Sequence, residues 1–210
     1  MRPALPAPPL LVITDRLSAR KNLSHIVPDV LQAGCRWLMV REKDLGTAAL
    51  GELAREVVDQ AAPFEACVMV NGDVEATQFA GAAGIHLQTA AQVRPARERL
   101  GENALIGVSA HTLKEAQEAA GVGADYVTMS PVFLTDSKPG YGPALGIDDF
   151  GGICRQLALP VVALAGVTPA TATPCLNAGA AAIAVMGTVM RSEFPGAAVR
   201  DILQAIEDLD

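Results

Sequence analysis

Two cationic side chains and an amide follow apolar runs that are predicted to be strands. Arg41 and Lys43 come directly after residues 37–40, and Asn71 follows residues 67–70. Because alternate residues of a strand share one face, we expect Arg41 and Lys43 to point together toward one site. Such a pair of cations can hold a diphosphate or a carboxylate, and Asn71 can bond to a heterocycle or a phosphate oxygen. A solvated charged turn is the alternative interpretation of Arg41 and Lys43.

Three further polar residues stand at the ends of neighbouring predicted strands. Asp73 has the oxygen ligands that Mg²⁺ prefers, but its position also fits the N-cap of the following helix. His86 is a candidate acid or base near neutral pH, and a buried histidine satisfied by packing is the alternative. Ser109 follows the fifth apolar run and is predicted to reach a ligand.

A long irregular segment, residues 131–146, contains hydroxyl groups and a lysine that could contact an anion. Thr135, Ser137 and Lys138 lie there among several glycines and prolines. Long loops in compact domains often serve as lids or binding loops. We expect these three side chains to lie over a bound anion, and an irregular excursion without function is the alternative.

A glycine follows each of the last two predicted strands. Gly166 comes after residues 161–164, and Gly187 comes after residues 182–185. A glycine lets an anion approach the backbone N–H groups closely. In barrels of eight β/α units, the loops after strands seven and eight often bind phosphate. The two segments together therefore predict a phosphate site.

The elements that must position these residues are eight short apolar runs that alternate with helical patterns. The runs are continuous, which is typical of strands buried on both faces of a parallel sheet. Their number predicts an α/β protein with a single-domain (β/α)₈ barrel, and a doubly wound open sheet is the alternative. The predicted strands are residues 11–14, 37–40, 67–70, 85–87, 105–108, 126–129, 161–164 and 182–185. Helical patterns are clearest at residues 47–61, 113–120 and 197–209.

Composition limits the class of protein. The chain has 210 residues, of which 50% are hydrophobic, and this is enough for one domain with a sizeable core. Its formal net charge of −7 argues against general binding of nucleic acid or of an anionic membrane. The spacing of its cysteines does not indicate a zinc site, and we expect them to be reduced thiols.

The ends of the chain and its hydropathy indicate a compartment. Residues 1–9 are predicted to be a flexible, proline-rich N-terminus, and they lack the apolar region of a signal peptide. No apolar run approaches the roughly 20 residues of a membrane span. We therefore expect a cytoplasmic protein whose partner is a small molecule. The sequence leaves the oligomeric state open, with a homo-oligomer as one alternative.

Taken in this order, the segments resemble the thiamin phosphate synthase family, which includes the thiazole tautomerase TenI. The resemblance runs over nearly the whole chain, from Val12 to Gly187. Its most specific matches are the runs Arg41-Glu42-Lys43, Gly107-Val108-Ser109-Ala110-His111-Thr112, Gly123-Ala124-Asp125-Tyr126-Val127 and Thr135-Asp136-Ser137-Lys138.

The resemblance implies a site for two phosphorylated substrates. Synthases of this family join a pyrimidine methyl diphosphate to a thiazole phosphate, and diphosphate leaves with the help of Mg²⁺. Positions matched to the diphosphate are Arg41, Lys43, Asn71 and Lys138, with Ser109 beside them and the hydroxyls of Thr135 and Ser137 nearby. Those matched to the thiazole phosphate are Gly166, Gly187 and Thr188, and Asp73 lies at or beside the first Mg²⁺ ligand.

The chain also departs from the synthase pattern. Met39 stands where synthases have a glutamine, Gly72 replaces an aspartate, and residues 88–91 lack the carboxylates of the usual acidic run. The histidine that TenI uses after the sixth strand is Pro131 here.

Pro131 matches the synthases, so a tautomerase would need another base, but the departures from the synthase pattern favour a tautomerase that binds thiazole phosphate and needs no cofactor. Its catalytic candidates are His86 as the base, with Lys138 and Ser109. The first alternative is a thiamin phosphate synthase that uses Mg²⁺, with Asp73 as the metal ligand. The second alternative is a noncatalytic protein that binds thiazole phosphate.

Overall fold

Eight parallel strands form a closed barrel in the computed structural model, which describes residues 3–135 and 143–207. Each strand pairs with its neighbour in sequence, and β1 pairs with β8 to close the sheet. The strands are β1 Leu10–Ile13, β2 Trp37–Val40, β3 Cys67–Asn71, β4 Gly84–Leu87, β5 Leu105–Ala110, β6 Tyr126–Met129, β7 Val161–Leu164 and β8 Ala182–Val185. The predicted (β/α)₈ barrel is therefore confirmed, and closure excludes the open doubly wound sheet.

Helices lie between the strands and after the last one. They are α1 Leu23–Gln32, α2 Thr47–Ala61, α3 Val74–Ala80, α4 Val93–Leu100, α5 Leu113–Gly121, α6 Gly146–Gln156, α7 Pro169–Asn177, α8 Gly187–Met190 and α9 Pro195–Glu207. Short 3₁₀ turns occupy Ala62–Phe64 and Ala90–Gln92. None of the described helices is long and apolar enough to cross a bilayer.

Most predicted boundaries agree with the structure to within one or two residues. Strands β3 and β5 run further than expected, so Asn71 and Ser109 belong to strands and not to loops. The last helix begins at Pro195, two residues before its predicted start, because proline is well tolerated in the first turn of a helix.

The barrel has two apolar layers because successive side chains of a strand point to opposite faces. Residues such as Val12 and Val40 point outward and pack against the helices. The inward-facing residues form a separate buried cluster of Leu11, Ile13, Trp37, Met39, Met69, Leu105, Tyr126, Val162, Ala182 and Ala184. Burial on both faces explains why the strands appear in the sequence as continuous apolar runs.

Two glycines inside the barrel leave no room for a side chain, one beside an aromatic ring and one beside the neighbouring strand's backbone. A Cβ atom on Gly107 would lie 2.2 Å from Cζ of Tyr126, and one on Gly84 would lie 2.0 Å from the carbonyl oxygen of Leu105. The ring of Tyr126 packs edge-on against Trp37, with 5.1 Å between ring centroids. The barrel interior is therefore filled by two aromatic rings that depend on the absence of a neighbouring side chain.

The first described residues lie across the amino-terminal end of the barrel. Leu5 packs against the inward-facing cluster, and the N–H of Ile183 donates to the carbonyl of Pro9. The predicted flexibility of residues 1–9 remains a prediction.

Replacement of Gly107 by alanine should destabilise the barrel by about 3 kcal/mol, because the new methyl group would displace the ring of Tyr126 from a closely packed interior. Urea unfolding followed by far-ultraviolet circular dichroism measures this change. Gly121→Ala is the matched control, since a Cβ atom there meets nothing within 4 Å and alanine favours a helix. Equal effects of the two substitutions would contradict this account of the barrel interior.

Candidate functional site

A cavity of about 300 Å³ opens at the carboxyl ends of the strands. It lies over β1, β2, β7 and β8 and reaches the segment that follows β6. Its lining consists of Ile13, Arg41, Ser130, Leu134, Thr135, residues 164–168, residues 184–188 and Arg191. In barrels of this kind the active site is found at this end.

Free backbone donors line one side of the cavity. The N–H groups of Gly166, Val167, Gly187 and Thr188 donate to no other described residue. The last two belong to the first turn of α8, where the N–H groups have no partner within the helix. Four unused donors in one cavity provide hydrogen bonds for an oxyanion.

Two arginines add positive charge to the same cavity. Arg41 is half-buried, and its Nη1 lies 3.9 Å from the sulfur of Met186, which follows β8. Arg191 lies at the end of α8 and is exposed. Within the described residues neither guanidinium has a carboxylate partner. Two arginines without an internal counterion suit an anionic ligand.

The turn after β7 has an unusual backbone. Ala165 and Gly166 both have positive φ, +78° and +68°. A Cβ atom on Gly166 would also lie 2.6 Å from Cβ of Phe133, and the N–H of Phe133 donates to the carbonyl of Ala165. Gly166 is therefore required by its contact with the segment after β6, in addition to any approach of an anion.

Thr188 connects the last two loops of the barrel. Its hydroxyl donates to the carbonyl of Val167 at 3.0 Å, which ties the start of α8 to the turn after β7. The proton of this hydroxyl is thus already used within the protein. Among the groups of Thr188, the backbone N–H remains available to a ligand.

A chain of hydrogen bonds holds His86 inside the barrel. Its Nδ1 lies 3.1 Å from the hydroxyl of Tyr126, and its Nε2 lies 3.1 Å from Oγ of Ser109. The Tyr126 hydroxyl is 3.3 Å from the sulfur of Met69, which has no proton to donate. Whichever ring nitrogen carries the proton, both nitrogens of His86 have a hydrogen-bond partner.

This environment keeps His86 neutral. The ring is only 4% exposed, and burial together with the charge of Arg41 lowers its pKa from the usual 6.5 to about 3. A base that is so weak and already hydrogen-bonded at both nitrogens is a poor acceptor for a substrate proton. The structure therefore does not support the predicted role of His86 as general base and favours the structural alternative. Ser109 is half-buried, and its hydroxyl forms a hydrogen bond inward with His86.

Asp73 is the N-cap of α3. Its Oδ1 accepts from the N–H of Ala76 at 2.8 Å, and its Oδ2 accepts from the hydroxyl of Thr47 at 2.7 Å. Gly72 and Gln88, which follow β3 and β4, contribute no carboxylate. Over residues 3–135 and 143–207 no three His, Cys, Asp or Glu side chains lie together as a metal-binding group. Because Mg²⁺ is bound through carboxylates with room for substrate and water, these residues do not fit a protein-held Mg²⁺.

The remaining predicted contacts are divided between the cavity and the surface. Thr135 lines the cavity, and Asn71 faces the barrel opening two residues beyond Met69. Lys43 is exposed in the turn that follows β2. Because β2 ends at Val40, the alternation of side chains between the two faces of the strand does not continue through this turn. Arg41 lines the cavity and Lys43 does not, so their joint action on one ligand stays a prediction. Ser137 and Lys138 lie outside the described residues.

Three residues near the cavity were missed by sequence reasoning. Glu42 is buried between the first two β/α loops, Met186 contacts Arg41, and Arg191 lies one turn after Gly187. Arg191 could have been found from the sequence, because it is a cation placed one helical turn after Gly187. Glu42 could have been found in the same way, because it is a carboxylate between the two cations Arg41 and Lys43 at the end of a strand.

Comparison with known proteins gives consistent matches over the length of the chain. The sequence profile of the family described as "Thiamine monophosphate synthase" matches residues 10–189. The "Putative thiamine-phosphate synthase" of Geobacter sulfurreducens is 37% identical over 196 residues, which cover 92% of each chain. The "Thiamine biosynthesis bifunctional protein ThiM/ThiE" of Symbiobacterium thermophilum is 39% identical over 95% of this chain, which spans only 42% of that longer protein.

A solved structure has the same architecture. "Thiamine phosphate pyrophosphorylase from Pyrococcus furiosus" superposes with a TM-score of 0.83 at 28% identity, with 95% of each chain covered.

The stability of the protein should fall as the pH drops below about 6.5. The unfolded chain binds a proton at His86 in this range, whereas the folded chain, with its pKa of about 3, does not. The free energy of unfolding keeps the contribution of neutral His86 above pH 6.5. Between pH 6.5 and pH 3 it falls by about 1.4 kcal/mol per pH unit because of this residue. Urea unfolding at pH 7, 6 and 5 gives the slope of the free energy of unfolding against pH. His86→Gln should remove the part of this slope that comes from His86. His25→Gln, at an exposed position, should leave it intact, and equal slopes in both variants would refute the assignment.

Replacement of Ala165 by glycine should stabilise the protein by about 0.5–1 kcal/mol, because the left-handed conformation is costly for alanine. The midpoint of urea unfolding reports the change. Ala163→Gly in β7 serves as the control, since Ala163 is buried and not in this conformation, and this variant should be destabilised. A loss of stability in Ala165→Gly as large as in Ala163→Gly would argue against strain at Ala165.

Proposed function

We propose that this chain, which belongs to the thiamine monophosphate synthase family, is a thiamine-phosphate synthase that joins a pyrimidine methyl diphosphate to a thiazole phosphate. The family is established by the match over residues 10–189. The particular reaction is our inference from the cavity. This choice replaces the tautomerase that the sequence alone favoured.

The observation that carries the proposal is the juxtaposition of free backbone donors with two arginines in one cavity. The N–H groups at Gly166, Val167, Gly187 and Thr188 are available to a phosphate, and Arg41 and Arg191 supply compensating charge. Since the whole chain carries a net charge of −7, this local positive site is selective for an anion.

The floor of the cavity suits a flat heterocycle. Ile13, Leu164, Ala184 and Met186 provide apolar contacts next to the phosphate donors. A thiazole phosphate placed there would have its phosphate on the backbone N–H groups and its ring on these side chains. The polarisable sulfur of Met186 makes favourable contacts with aromatic rings.

In the proposed reaction the carbon–oxygen bond to the diphosphate breaks, and the thiazole nitrogen forms a bond to the same methylene carbon. The diphosphate leaves with the bonding electron pair, so positive charge near its oxygens lowers the barrier. We assign this role to Arg41, and Asn71 and Ser109 at the same end of the barrel would add uncharged hydrogen bonds. The described residues do not fit a bound Mg²⁺, so no step is assigned to a metal.

The tautomerase hypothesis is weaker because its proposed base is unsuitable. His86 is buried and neutral, with both ring nitrogens engaged in hydrogen bonds. A noncatalytic thiazole phosphate carrier would use the same phosphate donors, and the following experiment distinguishes it.

The purified chain should form thiamine phosphate and release diphosphate when it is given both substrates. The assay is run with Mg²⁺ and, in parallel, with EDTA, and both products are quantified by chromatography. Isomerisation of the thiazole without joining would indicate a tautomerase, and binding of thiazole phosphate with neither reaction would indicate a carrier. Absence of thiamine phosphate under both conditions contradicts the proposal.

Arg41→Ala should lower kcat/KM roughly 10- to 100-fold, which corresponds to the loss of a hydrogen bond to a charged group. Arg94→Ala is the matched control, because Arg94 is exposed on α4 and does not line the cavity.

A further inference from the structure

Glu42 is a buried carboxylate that the proposed reaction does not use. It is 4% exposed and is not part of the cavity lining. Its Oε1 accepts from the hydroxyl of Thr14 at 2.6 Å, and its Oε2 accepts from the N–H of Arg16 at 3.0 Å. It therefore joins the loop after β1 to the loop after β2.

A short path of hydrogen bonds connects Glu42 with Arg41. Thr14 donates its hydroxyl proton to Glu42, and the same oxygen accepts from the N–H of Arg41 at 3.0 Å. The carboxylate of Glu42 thus determines the direction of the Thr14 hydroxyl proton. The hydroxyl oxygen of Thr14 is then left to accept from the N–H of Arg41. The N–H of Thr14 in turn donates to the carbonyl of Met39 at 2.9 Å.

The charged groups around Glu42 are consistent with an ionised, acceptor-only role. Burial raises the pKa of Glu42, and the hydrogen bonds from Thr14 and Arg16 oppose this rise. Asp15 adds repulsion, whereas the guanidinium of Arg16 lies between Glu42 and Asp44. The carboxylate accepts from the hydroxyl of Thr14 and from the backbone N–H of Arg16.

We infer that Glu42 is a positioning residue for Arg41: through Thr14 it holds the backbone at Arg41 so that the guanidinium faces the anion in the cavity. The inference rests on the proposed function for the assignment of Arg41 to a phosphorylated ligand. Glu42 itself contacts no ligand and acts only through Arg41.

A double-mutant cycle tests this connection. The affinities for inorganic phosphate and for thiamine phosphate are measured by isothermal titration calorimetry for the wild type, Glu42→Gln, Arg41→Ala and the double variant. Glu42→Gln should weaken binding about tenfold in the wild-type background and less than twofold when Arg41 is already alanine. An equal loss in both backgrounds, or no loss in either, would overturn the inference.

Two further variants separate positioning from a general effect on folding. Thr14→Val removes the hydroxyl at nearly constant shape and should weaken binding as Glu42→Gln does, whereas Thr14→Ser should retain affinity. These two variants also test the connection if Glu42→Gln does not fold. Glu115→Gln is the matched control, because Glu115 accepts from the N–H of His111 in another β/α loop and has no link to Arg41. Weaker phosphate binding in Glu115→Gln would count against the inference.

The two probes distinguish this inference from the proposed function. A wild-type chain that binds inorganic phosphate but not thiamine phosphate would contradict the synthase, while the cycle with inorganic phosphate still decides the role of Glu42. A wild-type chain that binds neither probe overturns both.

Discussion

The packing of Tyr126 inside the barrel is the constraint on which the rest of the structure depends. Its ring occupies the space above Gly107, where any Cβ atom would overlap it, and it packs edge-on against Trp37. The hydroxyl of Tyr126 forms a hydrogen bond with His86, and His86 forms another with Ser109 at the opening. The apolar interior and the polar end of the barrel are therefore parts of one packed column, and the site has a rigid base.

Above this base, the two sides of the opening have different chemical properties. The side formed by β7 and β8 offers backbone N–H groups that donate to none of the described residues, and these are neutral donors in a fixed position. The side formed by β2 offers the charge of Arg41, whose backbone is held by Thr14 and Glu42. Because the chain as a whole is acidic, a ligand phosphate finds positive charge only where such local arrangements provide it. Recognition thus depends on a few positioned groups and not on a broad basic surface.

The fold and about half of the site could be predicted from the sequence. Continuous apolar runs predicted the strands because each run is buried on both faces. Glycines after β7 and β8 correctly indicated segments that line the cavity, and their binding of phosphate stays a prediction. The predictions for Lys43 and His86 depended on where a side chain points and what surrounds it. The alternation of sides stops when β2 ends at Val40, and the pKa of His86 is lowered by burial that no local pattern reports.

By itself, the sequence determined the order of strands and helices, the barrel class and the family, because these depend on periodicity and on motifs that are local along the chain. Tertiary structure decided which polar residues share a cavity, since Arg41 and Met186 are 145 positions apart and meet only when the barrel closes. It also decided that Asp73 caps a helix and that Glu42 supports Arg41. Those roles depend on which donors surround each carboxylate. Ala76 is local to Asp73, but Thr47, Thr14 and Arg16 come from distant segments that packing brings together.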